Sequence, residues 1–125
     1  MESLKVTRAV EQRPWGKFEI LTQFNVQPEG EVCVKIITVS PKKRLSYQSH
    51  TLRSEQWVFV QGHGTVVLDE KSHVVVAGSC VNIPVNAKHR IGNDSDNQNL
   101  VFVEVSSGHF DENDIKRFED DFGRA

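Results

Sequence analysis

Polar and apolar residues alternate in short runs along most of the chain. KFEILTQ (17–23), EVCVKIITVS (31–40), EQWVFVQ (55–61), TVVLDE (65–70), SHVVVAG (72–78), SCVNIPV (79–85) and LVFVEVSS (100–107) have the β-branched and aromatic content of strands. Turn formers separate them: RPWG at 13–16, Pro28-Glu29-Gly30, Gly62-His63-Gly64, Asp69-Glu70-Lys71 and the polar loop NDSDNQN at 93–99. GHG reads as a hairpin turn, with TVVLDE pairing back on the strand before it. About eight or nine short strands with turns roughly every 8–12 residues predict an all-β sandwich or barrel, closed by LVFVEVSS. Residues 1–12 show no clear period and read as an arm or edge segment. Only the tail reads as helix, over 111–122: Asp111 is the N-cap, acidic residues fill the first turn, and Ile115, Phe118 and Phe122 keep a helical stripe.

One strand breaks its own pattern. In EVCVKIITVS, Val32, Val34 and Ile36 share one face, and Cys33, Lys35, Ile37 and Val39 the other. Both faces are largely apolar, so the strand is covered on both sides. Lys35 is the exception, and either snorkels to solvent or reaches into a polar cavity.

Composition narrows the class. At 125 residues the chain suits a single domain, 1–125, and 38% hydrophobic with 26% charged residues is ordinary for a soluble protein. A net charge of −2 argues against nucleic acid or an anionic membrane as partner. No apolar run approaches the roughly 20 residues of a membrane helix, and MESLKVTRAVEQ lacks a signal-peptide core. Cys33 and Cys80 lie in apolar runs and read as buried free thiols, which favours a cytoplasmic location. Internal repeats and low-complexity linkers are absent.

The candidate chemistry gathers in LSYQSHTLRSEQWVFVQG (45–62). Gln48 and His50 are two apart and so face the same way in a strand. Glu55 has the wrong parity for a continuous strand, so a turn over Thr51–Ser54 must intervene before EQWVFVQ returns. His89 arrives later, in NAKHRIGN. Together the four offer a mixed N/O site for one divalent ion: zinc, manganese, cobalt, nickel or iron. Cysteine is not in the set, which argues against a structural thiolate zinc site. Taken singly, such residues on short strands are more often surface groups.

Two spacings carry a resemblance. Gln48-x-His50, four residues, Glu55, six residues, Gly62 resembles the first cupin motif, with Gln for its first His. Gly78, five residues, Pro84-x-Asn86, two residues, His89, three residues, Asn93 resembles the second, with Asn86 for its Gly. RPWGKFEIL, VKIITVSPKKRLSYQSH, the IP…HR segment and DENDIKRFEDDFGR look like the cupin domain of type II mannose-6-phosphate isomerases, often fused behind a mannose-1-phosphate guanylyltransferase. With no nucleotidyltransferase half, this chain would be the stand-alone form. The ligand set is also similar to that of the larger zinc-dependent phosphomannose isomerases, as is the aromatic-Gly pair Trp15-Gly16. The resemblance implies a double-stranded β-helix (jelly-roll barrel) with a short C-terminal helix, and a place in carbohydrate metabolism and polysaccharide biosynthesis. Departures stand beside it. Thr51, Leu52 and Gln56 replace family histidines, while Arg53, Glu55 and Trp57 remain. Lys42 replaces a glycine, harmlessly if the turn needs no positive φ.

The resemblance implies interconversion of mannose-6-phosphate and fructose-6-phosphate through an enediolate, with a metal stabilising the oxyanion, a base and a phosphate contact. Arg44 shares strand parity with Gln48 and His50 and has a guanidinium fork suited to phosphate. Arg53 and Arg90 are further substrate-binding candidates, with Arg90, like Lys88, restricted to the rim. Trp15 is either core or a surface for the sugar's C–H face. Glu55 and Lys35 are the candidate catalytic bases; a lysine serves where burial disfavours its charged form. His63, His73 and His109 read as structural or exposed, with His109 closest to a cavity mouth, and Arg117 and Asp120 as a pair on the tail helix. Two alternatives remain: a non-catalytic metal- and sugar-binding cupin, and a mononuclear iron oxygenase on His50, Glu55 and His89. An apolar outer sheet face predicts a homodimer.

Overall fold

The structure is a computed structural model and describes residues 9–26, 30–111 and 113–125. Most of the Pro28–Gly30 turn and the first eight residues of the arm lie outside the described residues. Eleven strands form two antiparallel sheets. The first contains, in spatial order, β1 (Ala9–Arg13), β2 (Gly16–Asn25), β3 (Glu31–Val39), β10 (Leu100–Gly108), β5 (Arg53–Gln61) and β8 (Cys80–Ile83). The second contains β11 (Lys116–Glu119), β4 (Tyr47–Ser49), β9 (His89–Asn93), β6 (His63–Leu68) and β7 (Lys71–Val76). The expected strands are present, and no helix occurs among the described residues.

Register decides what the barrel encloses. Directly paired residues on antiparallel strands face the same side, so the ladder can be read rung by rung. One rung of the first sheet runs Phe18–Ile37–Phe102–Phe59. It is wholly apolar, and Phe59 and Phe102 stack at 5.0 Å between centroids with Trp57 against them. Two residues along, the rung is Ile20–Lys35–Glu104–Trp57. Two further, Cys33–Ser106–Glu55. The inner face thus passes from an aromatic floor to a polar wall within four residues. The second sheet supplies the facing side with Ile91 and Val66, both fully buried, and the rung Arg117–Gln48–His89–Leu68.

Several expectations are corrected. The 111–122 tail is not a helix: residues 116–119 form β11 on the open edge of β4, pairing Lys116 with Ser49 and Arg117 with Gln48. A lone three-turn helix is marginal in water, whereas this edge offers unpaired backbone groups, and the Asp114 carboxylate accepts from Thr51 N, Thr51 Oγ1 and Leu52 N at 2.7–2.9 Å. Gly62-His63-Gly64 is not a hairpin turn. The chain crosses there from the first sheet to the second, and a Cβ on Gly62 (φ 87°) would lie 2.7 Å from Asn99 O. LVFVEVSS does not close a sheet but sits at its centre, between β3 and β5. Cys33 is buried, but Cys80 is exposed. Two tight hairpins are where the sequence marks turns: Pro14-Trp15 joins β1 to β2, and Asp69-Glu70, both at positive φ (46° and 70°), joins β6 to β7.

Asn86 takes φ 70° where the motif has glycine, a conformation asparagine tolerates. Lys42 also takes a left-handed φ of 58°, so its turn does need positive φ and the replacement is strained. Its contact with Asp96 is 3.6 Å and exposed, and offsets little. Lys42→Gly removes a strain of roughly 1–2 kcal/mol against a smaller gain in unfolded-chain entropy. Urea denaturation is expected to show a net stabilisation of about 0.5–1 kcal/mol.

Candidate metal centre

His50 follows β4, Glu55 is the third residue of β5, and His89 opens β9. The turn at Thr51–Leu52 carries the chain from one sheet to the other, so Glu55 faces the histidines across the barrel. All three are buried, and their potential ligand atoms lie within 4.8 Å of one another. His50 Nε2 stands 3.3 Å from Glu55 Oε2, and His89 Nε2 stands 4.0 Å from Glu55 Oε1. Both imidazoles have the same arrangement behind them. His50 Nδ1 is 2.7 Å from the Asp114 carbonyl and His89 Nδ1 is 3.0 Å from the Ala87 carbonyl. A carbonyl only accepts, so each Nδ1 carries the hydrogen and each Nε2 presents a lone pair inward. Burial, and then the Arg53 charge, pulls His50 down to about 4; burial lowers His89 as well. Both are therefore neutral near pH 7, the form that binds metal.

The donor set fits a divalent ion. His89 Nε2 is buried and has no hydrogen-bond partner among the described residues, a costly state unless something accepts its lone pair. Two imidazoles and a carboxylate suit first-row ions with bonds of about 2.0–2.2 Å. Gln48, the fourth donor expected from sequence, lies directly across the ladder from His89 and lines a cavity with Glu55, and its Oε1 accepts from Ser46 Oγ at 3.1 Å.

A cavity of about 230 Å³ opens beside this centre, lined by Gln48 and Glu55 but by neither histidine. Trp57 Nε1 donates to Glu55 Oε1 at 3.0 Å, while Arg53 donates from Nε to Glu55 Oε2 at 3.3 Å and from Nη2 to His50 Nε2 at 3.1 Å. Beside them stands Glu104, accepting from Ser106 Oγ at 3.2 Å. Its complete burial, reinforced by the Glu55 charge next to it, pushes the Glu104 carboxyl up to about 8. Lys35 faces Glu104 across the β3–β10 pair, its Nζ 4.6 Å over the Phe18 ring. A second cavity of about 230 Å³ adjoins across Lys35 and Arg53.

Of the residues nominated from sequence, Trp15, Lys35, Gln48, Arg53 and Glu55 line the cavity. Arg44 does not. It is exposed and forks onto Asp121 at 2.6 and 2.8 Å, so shared parity with Gln48 did not bring it inside. Arg90 is buried but turned to the tail, donating to Leu45 O at 2.9 Å and Glu119 Oε2 at 3.4 Å. Asp120 pairs with Arg124, not Arg117. His63, His73 and His109 are exposed and stand apart from the centre. Thr51, Leu52 and Gln56, the positions that depart from the family run, are also exposed and outside the cavity lining. Two cavity residues escaped the sequence reading. Glu104 shares its strand face with Leu100 and Phe102, and Val101, Val103 and Val105 make the other face as apolar, so alternation did not single out the inner face; Arg117 was hidden by the helical stripe of the tail.

Two antiparallel sheets closing on such a centre define a cupin, the double-stranded β-helix, and solved structures share the fold. The capsular polysaccharide assembling protein CapF of Staphylococcus aureus superposes with a TM-score of 0.76 at 20% identity, over 90% of this chain and 34% of its own. The family is narrower. The model of the mannose-6-phosphate isomerase C-terminal family matches residues 2–120, and the chain belongs to that family. Alginate biosynthesis protein AlgA of Pseudomonas aeruginosa is 38% identical over 114 residues, 90% of this chain and 22% of AlgA. Mannose-1-phosphate guanylyltransferase ManC of Salmonella typhimurium is 35% identical over 114 residues, with the same coverages. The chain thus spans about a fifth of the length of these curated relatives.

Two outcomes test the centre. Asp114 orders the turn that presents His50 and supplies the carbonyl that fixes its tautomer. Asp114→Ala is expected to weaken metal affinity about tenfold, read by chelator competition. The second concerns pH, in chelator-treated protein. Between about 6.5 and 4 the unfolded chain binds a proton at His50 that the folded chain refuses, so stability rises with pH across that window, and His89 acts in the same direction. Glu104 acts oppositely: the folded chain keeps its proton up to about 8 and the unfolded chain releases it near 4.5, so that contribution is lost as pH rises. Above pH 6.5 only the second effect remains. Thermal melting is expected to fall between pH 6.5 and 8, and Glu104→Gln to flatten that slope.

Proposed function

We propose that the chain is a metal-dependent aldose–ketose isomerase that interconverts mannose-6-phosphate and fructose-6-phosphate. The observation that carries this reading is the pair of buried imidazoles turned Nε2-inward on Glu55, which lines a cavity together with Glu104 and Lys35. Membership of the mannose-6-phosphate isomerase C-terminal family supports it.

Isomerisation removes the C2 proton, returns a proton to C1 and moves the hydroxyl hydrogen from O2 to O1. His50, Glu55, His89 and Gln48 would hold one ion, drawn from zinc, manganese, cobalt, nickel or iron. When bound, that ion supplies positive charge for the oxyanion that develops as the proton leaves. Glu55 is committed to Trp57, Arg53 and the histidines, so its role is to ligate. Half-buried Lys35 and buried Glu104 face each other across one rung, and are placed to exchange a proton with C1 and C2. Arg53 and Trp15 bind the substrate. Trp15 offers an apolar surface to its C–H face, and the aromatic floor keeps water from beneath. The positions that motivated a non-catalytic reading lie outside the cavity and do not favour it. Gln48, as a fourth donor, does not favour an iron oxygenase. We take the protein to work in the cytoplasm, in polysaccharide biosynthesis, as a homodimer through the outer face of the six-stranded sheet, where Val58 and Val60 are 41% and 52% exposed.

The test pairs metal analysis with a coupled assay on mannose-6-phosphate. Wild type is expected to hold one ion per chain and to form fructose-6-phosphate; His89→Ala is expected to lose both. Wild type that carries its ion yet turns over no mannose-6-phosphate under any metal would falsify the assignment.

A further inference from the structure

Cations crowd the cavity wall, and most are already committed. Arg53 donates to Glu55, Arg124 forks onto Asp120 at 2.7 and 3.0 Å, and Arg13 pairs with Glu11. Lys35 rests over Phe18. Arg117 is different. It lines the cavity, its Nε is buried without a hydrogen-bond partner, and it forms no ion pair among the described residues. The side chain is half-buried, a buried Nε–H without an acceptor is costly, and its planar fork of donors matches the oxygens of a phosphoryl group.

Its placement is as specific as its chemistry. Arg117 pairs with Gln48, which pairs with His89, so the three share one rung and one face. Arg117 therefore stands two strand spacings, roughly 10 Å along the sheet, from His89. An open-chain hexose with a phosphate on C6 has comparable reach: its C1–C2 end lies at the metal centre when its phosphate lies at β11. The strand is also held still. Asp121 takes Arg44, Glu119 takes Arg90, and Asp114 takes the Thr51–Leu52 turn. Arg44 and Arg90, two of the three arginines nominated from sequence for the substrate, thus fasten the strand that carries Arg117.

We propose that Arg117 is the phosphate-binding and specificity-determining residue of this cavity, selecting phosphorylated over free sugar. The inference rests on reading the cavity as a sugar-phosphate site. Calorimetric titration of the metal-loaded chain tests it with three probes: inorganic phosphate, mannose-6-phosphate and mannose. Arg117→Met keeps the aliphatic stem against β4; Arg117→Lys keeps the charge but not the fork; Arg117→Gln carries the comparison if the methionine variant does not fold. Arg117→Met is expected to bind phosphate and mannose-6-phosphate about ten- to a hundredfold more weakly, the loss of charge-assisted hydrogen bonds, with metal content and mannose affinity unchanged. Arg117→Lys is expected to recover part of the loss. Phosphate affinity equal to wild type in Arg117→Met overturns the proposal, even if the wild type isomerises mannose-6-phosphate. Phosphate binding that depends on Arg117 in a protein without turnover supports it and defeats the isomerase reading instead.

Discussion

Two buried imidazoles hand their Nδ1 hydrogens to backbone carbonyls and turn bare Nε2 atoms towards one carboxylate. The rest of the molecule can be understood as what that arrangement requires. Neither ring is charged near pH 7, because burial outweighs the nearby carboxylates. Neither can rotate without losing its carbonyl. The cost is concentrated in one atom, His89 Nε2, which is buried without a partner. A cation that accepts this lone pair converts the cost into affinity, which is why metal binding and stability are coupled at such a site.

A polar centre inside a small barrel needs an apolar support, and the register provides it. The Ile37–Phe102–Phe59 rung and Trp57 form a tightly packed floor on one side of the site, with Trp57 meeting the His89 ring edge-on at 5.7 Å. Above that floor, Glu55 and Glu104 lie on neighbouring rungs of adjacent strands. Two carboxyls so close and so buried do not both carry charge comfortably. Complete burial, with the Glu55 charge beside it, makes Glu104 a carboxyl that keeps its proton.

The tail completes the site from outside the central ladder. Residues 114–124 supply the carbonyl behind His50, the carboxylate that orders the Thr51–Leu52 turn, and Arg117 in the cavity wall. Electrostatic ties to Arg44 and Arg90 fasten it. A segment that looks peripheral along the chain is therefore part of the machinery, and the stability of its attachment sets the geometry of a metal ligand.

The sequence by itself determined the all-β class, most of the strands and the residues His50, Glu55 and His89 that converge. Period-two alternation and motif spacing are local properties that survive without tertiary context. It also determined that Lys35 was anomalous on its strand face. Only the tertiary structure decided which face of β10 was inside, because Val101, Val103 and Val105 made the outer face look like core while Glu104 pointed in. It alone decided that the tail would pair with the edge of β4 and not coil into a helix, since an open strand edge is visible only once the sheet exists. And it decided which arginines reach the cavity: Arg44 is drawn outward onto Asp121, while Arg117 sits on the rung of Gln48 and His89 and faces in, and that is a fact about space, not sequence.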